Sequence, residues 1–133
     1  IALLREAPGF IGNRLQMALL REAQYIVEQG IATKEAVDAV VRCSLGRRLG
    51  VTGPLESADL GGLDVFHKIS QYLLPDLCST AEVSPLMAEP VGRGALGAKT
   101  GSGFYDWTPE ALADLRKKRE EVLVEWLKKD RAC

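Results

Sequence analysis

Between Pro8-Gly9 and Gly30 the chain carries a stretch, residues 10–29, whose apolar side chains return at the period of an α-helix. Placed at 100° per residue, Leu15, Leu19, Ala23, Ile26 and Val27 share one broad arc, while Arg14, Arg21, Gln24 and Glu28 take the opposite side. Gly30 supplies the stop. Thr33 then offers a hydroxyl to cap a second helix, with Glu35 in its first turn and Val37, Val40, Val41 and Leu45 as the buried stripe. Gly46 is expected to end it and to open a loop to Gly53. Pro54 suits the first position of a short helix that Gly61-Gly62 breaks, and Leu63, Phe66, Ile69 and Leu73 mark the next, up to Pro75. Residues 75–107 are punctuated by Pro85, Pro90 and a scatter of Gly, with one short helix able to open at Ser84-Pro85. Thr108-Pro109-Glu110 begins a last helix through Leu112, Leu115, Val122, Leu123 and Trp126 to about residue 130. No segment of useful length alternates with period two and no repeat is evident, so the fold class is all-α, with about five helices.

The 133 residues suit a single helical domain, residues 1–133. Hydrophobic residues at 47% and charged ones at 26% are the balance of a globular protein, and a net charge of −1 recruits neither nucleic acid nor membrane. No apolar run approaches the ~18 residues of a membrane span. Cys43, Cys78 and Cys133 are odd in number and widely spaced, which fits reduced thiols in a cytoplasmic setting and no metal site.

Several patterns lose to plainer readings. Gly92-Arg93-Gly94-Ala95-Leu96-Gly97 is a literal G-x-G-x-x-G, but no strand precedes it, no helix follows directly, and position 117 is Lys rather than an acid. Gly97-Ala98-Lys99-Thr100 lacks the Gly a phosphate loop needs before its Lys, and Lys99-Thr100-Gly101 has no Ser-x-x-Lys companion. His67, the single histidine, reads as a surface residue beside Asp64. The cations Arg116 to Arg119 are followed by Glu120, Glu121 and Glu125, a solvated helix face. Glu56 complements a helix start. Arg47 and Arg48, in the expected loop, are candidates to hold a substrate carboxylate or phosphate. Asn13 and Gln16 imitate a capping box, with Asn in place of Ser or Thr.

Three blocks occur in a fixed order: Pro8-Gly9-Phe10-Ile11-Gly12-Asn13-Arg14, then Gly53-Pro54-Leu55-Glu56 with Asp59 and Gly62-Leu63-Asp64, then Gly94 to Tyr105. Together they resemble the C-terminal domain of the 3-hydroxyacyl-CoA dehydrogenase family. The resemblance implies half of an enzyme: an N-terminal Rossmann domain, absent from these residues, would hold NAD and a His–Glu base. The present half would close the substrate site and build a homodimer. It implies that Asn13 points at the substrate's reacting oxygen, where an amide donates without titrating. Gln16 departs from the apolar residue of many acyl-CoA members, and Ser44 to Arg48 is reminiscent of the L-gulonate dehydrogenase (lambda-crystallin) branch acting on small polar hydroxy acids. Expected substrate contacts are thus Asn13, Gln16, Arg47 and Arg48, toward an acyl-CoA or a small hydroxy acid, with no cofactor held in this half. A non-catalytic helical dimerisation module is the alternative from another class.

Overall fold

The computed structural model describes residues 5–132. Its elements are α1 (Gly12–Glu28), α2 (Lys34–Val40), a π-helical turn (Val41–Leu45), α3 (Gly46–Leu49), α4 (Pro54–Gly61), α5 (Leu63–Leu73), α6 (Pro85–Gly92) and α7 (Pro109–Ala132). Among the described residues the only β features are two isolated bridges, so the all-α reading holds. Contacts gather into two compact units, one ending at Ser84 and one beginning at Pro85.

In the first unit the helix ends follow local chemistry. Gly30, at φ 66°, closes α1 through bonds from Gly30 N to Val27 O and Ile31 N to Ile26 O, which satisfy carbonyls the helix leaves free. Thr33 Oγ1 accepts from Ala36 N at 3.2 Å to start α2. Glu56 reaches back to Gly53 N at 2.8 Å across the start of α4, as its place after Pro54 suggested.

Gly46 does not end a helix. Its N–H reaches back five residues to Val41 O, closing a wide π turn, and the helix continues through Arg47 and Arg48 to Leu49. A Cβ at position 46 would sit 2.8 Å from that same carbonyl, so glycine here permits the close approach of two turns. The expected loop begins at Gly50 instead.

The largest departure concerns which side of α1 is covered. The segment after α5 crosses the polar side of α1: Cys78 N donates to Glu22 Oε2 at 2.9 Å, Arg21 Nη1 donates to Thr80 O at 3.3 Å, and Ser84 Oγ donates to Glu28. Gln24, expected to face solvent, is the buried residue of this helix, and its Nε2 finds no acceptor. Leu15 and Leu19, on the apolar arc, are 57% and 43% exposed. Hydrogen bonds to a distant segment cover the polar side, while the apolar arc is exposed at Leu15 and Leu19 and half-buried at Ala23, Ile26 and Val27.

In the second unit a glycine-rich turn links α6 to α7. Gly97 N donates to Ser102 O at 2.7 Å, Trp107 N to Gly101 O at 2.7 Å, and Leu96 N to Thr100 Oγ1 at 2.8 Å. Ser102 Oγ donates to Asp106 Oδ1 at 2.7 Å, and the Tyr105 and Trp107 rings lie 5.8 Å apart. Thr108 Oγ1 caps α7 by accepting from Ala111 N. Pro90 lies inside α6, which ends two residues later at Gly92.

Two substitutions test this packing. Gly103→Ala would place a Cβ 2.6 Å from Gly97 Cα, which is backbone and cannot swing aside; the loss of stability should be about 1–3 kcal/mol. Gly92→Ala, with open space around it, should change stability by less than about 1 kcal/mol, and comparing the two thermal midpoints checks the pair. Gln24→Met keeps the length of the side chain and removes a buried donor without an acceptor. It should raise stability by about 1 kcal/mol, and a lower thermal midpoint would count against an orphaned amide.

Candidate functional site at the start of helix α1

The entry into α1 is a tight turn. Phe10 N donates to Ala7 O at 3.0 Å, Gly9 takes φ 77°, and Phe10 takes φ 49°, the one described non-glycine residue with positive φ. A bulky residue held in the left-handed region stores strain on the order of 1–3 kcal/mol, and such strain concentrates where a chain must aim a functional group. Arg14 Nη1 ties the turn back by donating to Pro8 O at 3.4 Å.

The helix begins at Gly12, so Asn13 is its second residue rather than its cap. Ile11 stands at the cap position in helical conformation, no side chain caps the first turn, and no acid lies in it. The capping-box reading of Asn13 and Gln16 is therefore corrected: both side chains stand on the helix, exposed. What the turn creates is an uncapped positive end of a 17-residue helix with a neutral amide in its first turn. Such an end favours an oxygen that gains negative charge, and the amide adds a donor that does not titrate.

Arg47 and Arg48 lie on α3, both exposed, on helix rather than on a flexible loop. The backbone beyond them is pinned: Arg48 O accepts from Val51 N, Thr52 N and Thr52 Oγ1, and the Thr52 and Ser57 hydroxyls meet at 2.8 Å. The π turn, which residue periodicity does not reveal, keeps the backbone of both arginines helical, and Gly46 was its signal. Asn13, Gln16, Arg47 and Arg48 all belong to the first unit. His67 and Asp64 are exposed on α5.

The described residues form no parallel sheet, and Gly92 to Gly97 runs out of a helix into the glycine turn rather than from a strand into a helix. The second unit holds a cavity of about 340 Å³ lined by Met87, Pro90, Val91, Leu96, Lys99 and Phe104 among others, with Lys99 the sole charged group. No group of three or more metal-ligating side chains occurs among the described residues, and no described helix is long and apolar enough to cross a membrane.

Comparison with known proteins agrees with this geometry. Residues 9–107 match the 3-hydroxyacyl-CoA dehydrogenase, C-terminal domain family. The chain is 35% identical over 124 residues to 5-formyl-3-hydroxy-2-methylpyridine 4-carboxylate 5-dehydrogenase of Mesorhizobium japonicum, covering 93% of this chain and 40% of that protein. It is 37% identical over 105 residues to a probable 3-hydroxybutyryl-CoA dehydrogenase of Bacillus subtilis, covering 78% and 36%. A crystal structure of a 5-formyl-3-hydroxy-2-methylpyridine 4-carboxylic acid 5-dehydrogenase, described as an NAD+-dependent dismutase, superposes with TM-score 0.91 at 34% identity, over 94% of this chain and 40% of that one. The chain thus spans less than half the length of the relatives it matches. Its helical order, its Pro8–Arg14 turn and a family match over most of its length agree, and the chain belongs to the 3-hydroxyacyl-CoA dehydrogenase family as a C-terminal domain.

Proposed function

We propose that this chain, as one domain, is the substrate-closing half of an NAD-dependent dehydrogenase that oxidises a 3-hydroxyacyl-CoA to the 3-ketoacyl-CoA. The observation that carries the reading is the family match together with the share of the relatives' length that the chain spans. The remainder of the enzyme would hold NAD, which accepts the hydride from the hydroxyl-bearing carbon, and the base that takes the proton. On this reading the amide of Asn13 donates to the substrate oxygen as it becomes a carbonyl, with the uncapped end of α1 behind it. Arg47 and Arg48 offer fixed cations for the anionic part of the substrate, and Gln16, exposed one turn beyond Asn13, is a further polar contact.

A second substrate class has its own support. The match to the Mesorhizobium enzyme, whose name carries formyl, hydroxyl and carboxylate groups on one small ring, runs over 93% of the chain, against 78% for the Bacillus relative. Under this reading Arg47 and Arg48 take a carboxylate of a compact substrate instead of a CoA phosphate.

The test is made on the full-length enzyme with NAD. Turnover of 3-hydroxybutyryl-CoA supports the first reading, turnover of small hydroxylated carboxylates the second, and neither would return the chain to a non-catalytic dimerisation module. Asn13→Ala should lower kcat by roughly ten- to a thousandfold with the fold intact. A fall in thermal midpoint with kcat unchanged would overturn the role. Arg47→Ala and Arg48→Ala should act mainly on KM, since they hold substrate and transition state alike.

The open apolar arc of α1 and the exposed Leu63, Phe66 and Leu73 of α5 favour a homodimer built on these faces. Sedimentation of the full-length enzyme should give a dimer, and a clean monomer at tens of micromolar would count against it.

A further inference from the structure

The role proposed for the chain makes no use of Lys99, yet Lys99 lines a cavity of about 340 Å³ that lies wholly within the second unit. The apolar wall comes from two directions. Met87, Pro90 and Val91 belong to α6, and Leu96 and Phe104 to the glycine-rich turn.

Backbone contacts build this hollow. Gly94, at φ 79°, reverses the chain after α6, and Ala95 N then donates to Pro90 O at 2.9 Å, which returns the chain to α6 just before Leu96. Gly97 N donates to Ser102 O at 2.7 Å. The Cβ that Gly103 lacks would lie 2.6 Å from Gly97 Cα, so the arm of the turn carrying Phe104 rests directly on the arm carrying Leu96. Hydrogen bonds and a glycine contact thus hold both arms before any ligand arrives, and binding there costs little in ordering the chain.

The chemistry of the lining selects the ligand. Lys99 is its sole charged side chain, and Lys99 has no ion-pair or hydrogen-bond partner among the described residues. The neighbouring hydroxyls are already engaged: Thr100 Oγ1 accepts from Leu96 N and donates to Ser102 O, and Ser102 Oγ donates to Asp106 Oδ1. One unpaired ammonium beside an apolar hollow matches one negative charge on an apolar body. A phosphate or a CoA headgroup carries more charge than one ammonium balances, and no guanidinium fork lines the cavity. The volume falls near the lower end of the ~300–1,000 Å³ of small-molecule sites, which suits an acid of about six to ten carbons.

We infer that the second unit holds a binding site for an amphipathic monocarboxylate, with the tail among Met87, Val91, Leu96 and Phe104 and the carboxylate on Lys99. The inference does not rest on the role proposed for Asn13, since every wall residue belongs to the second unit and Asn13 to the first.

Octanoate and its neutral isostere octanamide test it on the full-length enzyme. Calorimetric titration should give saturable binding of octanoate, tighter than octanamide by about two- to fivefold, the margin of a solvent-exposed ion pair. Lys99→Met should erase that margin while leaving octanamide binding unchanged. Carbon-13 methyl spectra locate the tail: the Met87 signal, assigned through Met87→Leu, should shift as octanoate is added to the enzyme. Absence of saturable binding, a margin that survives Lys99→Met, or an unmoved Met87 signal each overturns the inference.

Discussion

Helix α1 is held by its polar side, and the rest of the molecule depends on that. Glu22, Arg21 and Glu28 bind the segment from Cys78 to Ser84, so the chain spends its internal hydrogen bonds where an ordinary amphipathic helix would meet water. No described hydrophobic side chain is fully buried. Burying a large apolar side chain stabilises by about 1.5–3 kcal/mol, so side chains left half open forgo on the order of 1 kcal/mol each. The chain spans less than half the length of the relatives it matches.

Within each unit the conformation is carried by backbone devices more than by packing. Phe10 in the left-handed region turns the chain into α1 and leaves Asn13 in the first helical turn. The π turn at Val41–Leu45 lets the helix run on past Gly46, which fixes Arg47 and Arg48 on α3. Gly97 and Gly103 approach so closely that only glycine fits between the arms of the second unit's turn. Neighbours pair polar groups that these turns would leave open, as Arg14 does for Pro8 O and Thr100 for Leu96 N.

What could be read in the sequence was what is decided within four residues. Thr33, Thr108, Gly30 and Glu56 act where their chemistry put them, since caps and stops need only their own turn. Arg47 and Arg48 were read into a loop because glycine usually stops a helix, and a π turn uses the same glycine to continue one. Gln24 escaped because its burial is set by residues more than fifty positions away, to which helical periodicity is blind. Gln16, which imitates a capping box with Asn13 in the sequence, stands exposed on the helix because the helix starts one residue before Asn13. The family, by contrast, was legible, because its three blocks fall at the turn into α1, the start and end of α4 and the glycine-rich turn, where local geometry restricts the residue types.

Stability and chemistry are coupled through the same surface. Asn13 lies at the head of the helix whose apolar arc is exposed at Leu15 and Leu19. In water an exposed amide gains little by donating to a substrate oxygen, because solvent competes for both groups. When the arc is covered, water leaves the neighbourhood, the local dielectric falls, and the same hydrogen bond strengthens against a developing negative charge. The positive end of α1 gains in the same way. A domain that left its apolar arc open in isolation and closed it only in the assembled enzyme would hold its strongest donor in reserve until the substrate site was formed. On the role proposed for Asn13, covering the arc would add apolar burial and give its amide drier surroundings in the same step.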